Sequence, residues 1–223
     1  MRIFVFVSGF ALALAVGGCT STPATSSVAR PSPSPVDVPA YAPLLARARA
    51  HDSTLDFGAL RLAYTGTDDY EPYGIRDSDL RKQIYDALDA KDYSRARRQN
   101  ERLLAVNFVD LEGHGSARYI AEQAGDSIRS EYHFWVTSGL LHSIEASGDG
   151  SAARPFQVIS VAEEYAWAIF RGFRRKGTQS LAECGNRPCD AVEFTDMETR
   201  ADTTLYFDVS IPFGRLSRSM GPK

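Results

Sequence analysis

At 223 residues, with 43% hydrophobic and 24% charged side chains, the chain has the size and composition of one ordinary globular domain. Its 25 Lys and Arg against 28 Asp and Glu leave a net charge of −3, which supplies no basic field and argues against nucleic acid as a partner. No apolar stretch reaches the roughly 20 residues that a bilayer-spanning helix needs.

Residues 1–18 carry one cation, Arg2, followed by an apolar run from Ile3 to Val16. This is the layout of a secretory signal peptide. It ends in Val16-Gly17-Gly18-Cys19, which resembles a bacterial lipobox, with Cys19 as the lipidation site. The small residues let a narrow peptidase site pass the backbone before Cys19. Acyl chains such as palmitate on Cys19 each contribute about 0.8 kcal/mol per buried CH₂, enough for lasting attachment. Thr20 rather than Asp follows Cys19, which in lipoproteins implies sorting to the inner leaflet of the outer membrane, facing the periplasm. Residues 19–43 then hold six of the eleven prolines and many Ser and Thr. Such a stretch buries too little to offset its ordering entropy and reads as an acylated, extended tether.

Residues 44–150 read as a helical subdomain. Ser53-Thr54-Leu55-Asp56 matches a capping box ahead of Phe57, Leu60 and Tyr64. Ser78 caps a segment carrying Leu80, Ile84, Tyr85 and Leu88, and Asp92 opens another with Tyr93, Ala96, Leu103 and Leu104. A shorter helix carries Ala117, Ile120, Ala121 and Ala124. The longest follows Asp126, with Ile128, Tyr132, Trp135, Val136, Leu140 and Ile144 on one broad face. Ala90-Lys91-Asp92 and Ala124-Gly125-Asp126 lie 34 residues apart, the tetratricopeptide period, which suggests a tetratricopeptide-like layer.

Residues 151–216 read as an α+β subdomain, and 217–223 as a tail. Phe156–Val161 is expected as a strand, and Ser160-Val161-Ala162-Glu163 as a capping box opening a helix through Phe173. The cluster Arg171, Arg174, Arg175 and Lys176 then falls at that helix's C-terminus. Asp190–Thr199 and Thr203–Phe213 are the remaining strands, the second alternating Leu205, Phe207, Val209 and Ile211 with polar residues. The expected fold is α+β, the helical layer packed on a small antiparallel sheet with one or two helices. Cys184 and Cys189 close a short turn-rich loop and read as a disulfide, which an exported compartment permits. The alternative, half a zinc site, lacks a second Cys/His pair nearby.

No nucleophile elbow, zinc-protease, phosphate-loop or dinucleotide motif is present, and the sequence implies no cofactor and no metal. Tyr70, Tyr73, His114, His133, Asp149 and Glu164 are the candidate cleft residues. Each has a structural alternative: Tyr70 and Tyr73 as plugs of the helical layer, His114 at a frayed helix start, His133 at the edge of an apolar stripe, Asp149 in a Gly-Asp-Gly turn. Glu163 is committed to the capping box, which leaves Glu164 the freer acid. His133 and His142, nine residues apart, point to opposite sides of one helix and cannot share an ion.

Phe57-x-x-Leu60-Arg61-x-x-Tyr64, Tyr70-x-Pro72-Tyr73, Tyr132-His133, Leu140-Leu141, Ser147-Gly-Asp-Gly150, Val158-Ile159-Ser160, Glu163-Glu164-Tyr165, Gln179-Ser180-Leu181 and Leu205-Tyr206-Phe207 together resemble the domain of unknown function 4919 family over residues 54–213. The resemblance implies a bacterial envelope protein and carries no activity or site. The leading expectation is a binding or scaffold module on the periplasmic face, leaning away from an enzyme. The rivals are an envelope hydrolase using a His/Asp/Glu cleft between the subdomains, and an inhibitor or immunity-type protein.

Overall fold

A computed structural model describes residues 40–220, with side chains through Arg215. The signal peptide, Cys19 and most of the tether lie outside the described residues. The elements run α1 (Tyr41–Arg49), α2 (Phe57–Tyr64), α3 (Ser78–Asp89), α4 (Tyr93–Val106), α5 (Leu111–Gln123), α6 (Ser127–Glu145), β1 (Phe156–Gln157), α7 (Val161–Phe170), β2 (Phe173–Cys184), β3 (Arg187–Asp196), β4 (Asp202–Asp208) and α8 (Ser210–Met220). The fold is α+β, helices first and a four-stranded sheet after them. Helix α1 begins inside the segment expected as tether, and α8 runs across the expected boundary at residue 216.

Aspartate side chains cap four of the eight described helices. The side chains of Asp56, Asp92, Asp110 and Asp126 each accept the backbone N–H three residues on, satisfying a donor the helix cannot. At α2 the cap is therefore Asp56, not Ser53. Ser78 does not cap α3 either; it is the first helical residue and donates to the Ile75 carbonyl.

The 34-residue echo has a structural counterpart. Lys91 (φ 55°) and Gly125 (φ 69°) both turn left-handed after a helix. The N–H of the following aspartate then reaches back to Ala87 and Ala121, at 2.8 and 2.9 Å. His51 (φ 56°) closes α1 in the same way, with Asp52 N–H on the Arg47 carbonyl at 3.1 Å.

The sheet order is β1-β4-β3-β2. Strands β2, β3 and β4 are antiparallel, but β1 pairs with β4 in parallel (Phe156 with Phe207, Gln157 with Asp208), so the sheet is mixed rather than antiparallel. Strand β2 occupies the stretch read as a helix end. Gly172, at φ 75°, stops α7, and Arg174, Arg175 and Lys176 lie on the strand instead. Strand β4 ends at Asp208, not Phe213. The buried Asp208 carboxylate takes Ser210 N–H at 3.0 Å, turning the chain into α8, and pairs with Arg187 at 2.9 Å. A disulfide joins Cys184 and Cys189 across the β2–β3 turn, Cα atoms 5.9 Å apart.

One main core fills the space between α1, α2, α6, α7 and the inner face of the sheet, where Phe156, Phe207, Phe194 and Trp167 pack ring against ring. A second, smaller cluster (Ala87, Ala96, Ile120) sits inside the α3–α5 helices. Ile128, expected on the buried face of α6, is 81% exposed.

Helices and sheet are tied together by a buried ion pair. Arg61, on the apolar face of α2, makes two hydrogen bonds to Glu163 of α7 at 2.8 and 2.6 Å, and donates to Ser143 of α6 and the Gln157 carbonyl of β1. Glu163 also accepts Ile159 N–H at 2.8 Å. The helix start at α7 is thus half a capping box. Ser160 accepts from Glu163 N–H, but the Glu163 side chain serves Arg61 instead of reaching back to the cap.

The two matching helix ends yield a stability prediction. A left-handed lysine is strained by its Cβ, whereas glycine is not. Lys91→Gly is expected to raise the unfolding free energy by about 0.5–1 kcal/mol, and Gly125→Ala, with open space around the new Cβ, to lower it by about 1 kcal/mol. Denaturant titration of both variants checks the opposite signs.

Candidate functional site

The six expected cleft residues fall in several places. Tyr70 is buried and donates to the Ile159 carbonyl at 2.6 Å, with its ring against Tyr64. Tyr73 lies on the surface and donates to the Pro212 carbonyl. Asp149 is exposed in its turn, accepts Ser151 N–H at 3.0 Å and faces Arg154. His114 and His133 meet each other, and Glu164 meets Asp190. His133 opens on a groove that includes none of the other five. The one cleft expected between two subdomains is therefore absent from the described residues, because the packing of α7 puts its acids toward the core and sheet.

A first cleft, of about 350 Å³, lies between Tyr64, Tyr70, Asn107, Val109, Ser160 and Ala166, with Glu71, Asp110, Glu112 and Glu163 around it. Its acids are already engaged. Glu71 takes Tyr73 and Ile75 N–H groups at 2.9 and 2.7 Å. Asp110 caps α5 and pairs with Arg81, and Glu112 binds Arg81 and Tyr85. The carboxylates around Arg81 raise its pKa against the opposing effect of burial. This cleft is a structural joint.

Glu164 is fully buried, and no donor of another residue meets either of its oxygens. Its neighbour is the Asp190 carboxylate, which accepts from Gln179, whose own oxygen accepts from Tyr165. Two carboxyls side by side in a dry place share a proton rather than ionise together. Burial first, and then Asp190, push the Glu164 pKa up to about 9. Nothing opens this pair to a substrate.

The third place is open. His114 lies in α5 fully buried, not at a frayed end, because Gly113 and Gly115 let the helix press close: a Cβ on Gly113 would meet Leu104 at 2.9 Å, and one on Gly115 would strike the Phe170 ring. His114 Nε2 lies 2.7 Å from the Phe108 carbonyl, and its Nδ1 lies 2.9 Å from His133 Nδ1. The carbonyl can only accept, so Nε2 of His114 carries the hydrogen. Neutral His114 then offers a bare Nδ1, and His133 must donate to it from its own Nδ1. Burial, reinforced by His133, lowers the His114 pKa to about 3, and burial lowers that of His133 as well. Near neutrality both rings are uncharged, and His133 presents Nε2 as an acceptor.

That ring lines a groove of about 420 Å³ among α4, α5 and α6. Its floor is Leu104, Ala117, Ile120, Ala121 and Ala124. Along its rim Arg97 pairs with Glu101 at 2.8 Å and Arg129 with Asp126 at 2.9 Å. Asn100, also lining it, gives its amide hydrogens to the Gly113 carbonyl while its buried Oδ1 meets no donor. Among the described residues no Ser, Thr or Cys lines the groove. Sequence reasoning passed over Asn100, Arg97 and Arg129 and took Arg61 only as part of a family-like motif; the signal for Arg61 and Asn100 was a polar residue inside a helical apolar stripe, one turn from Phe57 and Tyr64 and from Ala96 and Leu104.

The class so defined is an α+β domain whose helical hairpins carry a neutral, apolar-floored groove. The chain belongs to the family described as Domain of unknown function (DUF4919), whose profile matches residues 38–218. Comparison with curated proteins and with solved structures gives no significant match.

The acid pair makes a prediction about pH. A carboxyl whose pKa is raised in the fold contributes its full stability below the unfolded value near 4.5 and loses it as pH rises toward 9. The unfolding free energy, and with it the melting temperature, is expected to fall between pH 5 and 8, the free energy by at most about 1.4 kcal/mol per pH unit from this group. Glu164→Gln, uncharged and able to donate to Asp190, is expected to flatten that slope. An unchanged slope in calorimetry contradicts the assignment.

Proposed function

We propose that this protein is a lipid-anchored, periplasm-facing binding module, held at the outer membrane through acylated Cys19 and taking its ligand in the α4–α6 groove. The observation that carries the reading is the acceptor nitrogen of His133, fixed by His114 and the Phe108 carbonyl and presented to an open apolar groove. The signal-like residues 1–18, the Gly17-Gly18-Cys19 junction and a disulfide of the kind exported proteins keep support the anchoring. Engagement of the acids of the first cleft, and burial of the Glu164–Asp190 pair, favour binding over hydrolysis.

Two measurements test it. Metabolic labelling with tritiated palmitate is expected to mark the envelope-associated wild type and not Cys19→Ser; equal labelling removes the anchor. Saturation-transfer NMR of the full chain with neutral amides, polyols and amines is expected to show at least one class bound and displaced by Ala124→Trp, an exposed position on the groove. Binding untouched by Ala124→Trp, with the variant melting like wild type, removes the groove as the site.

A further inference from the structure

We infer that the groove recognises a neutral secondary amide, a short segment of small-residue peptide whose N–H donates to His133 Nε2 and whose carbonyl accepts from Arg97. This rests on the groove being the binding site and names its ligand class. Four observations converge on it.

The first is the direction of the hydrogen bonds. The chain from the Phe108 carbonyl through His114 to His133 runs one way only, so Nε2 of the neutral His133 ring accepts and cannot donate. A ligand must bring an N–H or O–H. The second is charge. The groove's ionic groups, Arg97, Glu101, Asp126 and Arg129, are two cations and two anions, each already paired within the rim. Arg129 also lies 4.0 Å from Glu101. The rim's charges balance, so no net charge favours an ionic ligand, whereas a neutral one costs less desolvation.

The third is the donor left over. Arg97 uses its Nε on Glu101, and its terminal nitrogens make no hydrogen bond among the described residues, so N–H groups remain for a carbonyl. An acceptor nitrogen and guanidinium donors around one groove are the chemical complements of an amide's N–H and C=O. The fourth is the floor. Ala117, Ala121 and Ala124, with Leu104 and Ile120, give it an apolar surface that suits methyl-bearing side chains.

The groups facing His133 also set how binding responds to acid. They are Glu101 and Arg97 from α4, His114 from α5, and Asp126 and Arg129 at the start of its own helix. Glu101 favours a protonated ring, but burial outweighs it, so His133 takes a second proton only in acid. Protonation turns Nε2 into a donor, and an amide N–H then has nothing to meet.

The test is titration of the ¹⁵N-labelled full chain with N-acetyl-Ala-Ala-amide, followed by backbone amide shifts. Shifts at Ala117, Ala121, Ala124 and His133 are expected, saturating at pH 7.5 and weakening about tenfold on acidification. An analogue methylated on its amide nitrogens, and His133→Phe with the unmodified probe, are each expected to bind about tenfold more weakly. Equal binding of the methylated analogue, or no loss at low pH, overturns the amide reading and leaves the groove standing. Binding of polyols or amines at the groove without the amide probe does the same. No groove shifts with any class overturns both.

Discussion

The fold depends on one buried ion pair. Arg61 and Glu163, each 4% exposed and 102 residues apart in sequence, join α2 to α7, and their remaining hydrogen bonds recruit α6, β1 and the Ile159 backbone. A guanidinium and a carboxylate removed from water are stable only when matched in geometry and fully hydrogen-bonded, which is what these partners provide. Tyr70 adds a second clasp to the same backbone through the Ile159 carbonyl. Arg61, Tyr70, Ile159 and Glu163, far apart in sequence, thus meet at one structural joint, where they orient the helices against the sheet.

With the joint in place, α7 divides the polar groups. Glu163 looks toward the helices, Glu164 toward Asp190 on β3, and the far end of the helix lays Phe170 on Gly115 of α5. That last contact needs the glycine, and the same close approach seats His114 against Phe108 and beneath His133. The acceptor in the groove therefore follows from packing remote from it: glycines flanking His114 permit the burial, burial keeps the ring neutral, and a neutral ring with one hydrogen committed fixes its neighbour.

Much of the fold was legible because local signals agreed with tertiary ones. Aspartates before apolar periodicity marked the starts of α4 and α6, and the alternation in Leu205, Phe207 and Val209 marked β4. Strand β2 was hidden because it is an edge strand, mostly exposed, whose Arg174, Arg175 and Lys176 lack alternation and resemble a helix end. The end of β4 was misplaced because Val209 and Ile211 continue the alternation while Asp208 turns the chain. The site was legible only in part. His133 and Glu164 were visible as polar residues near apolar stripes, but their partners His114 and Asp190 lie on other elements, and no spacing within a helix reveals a neighbour across one. Arg61 was the readable clue, a charge on a buried face that had to find its opposite somewhere.

The most direct measurement is a thermodynamic comparison of Arg61→Met with Arg61→Met/Glu163→Gln by denaturant unfolding. The single change strands a buried carboxylate and is expected to cost about 3–5 kcal/mol. The double change keeps an acceptor for Ile159 and removes the stranded charge, so it is expected to recover a large share of that loss. A double variant no more stable than the single, or a single loss below about 1 kcal/mol, would show that the pair is not what holds the helices to the sheet.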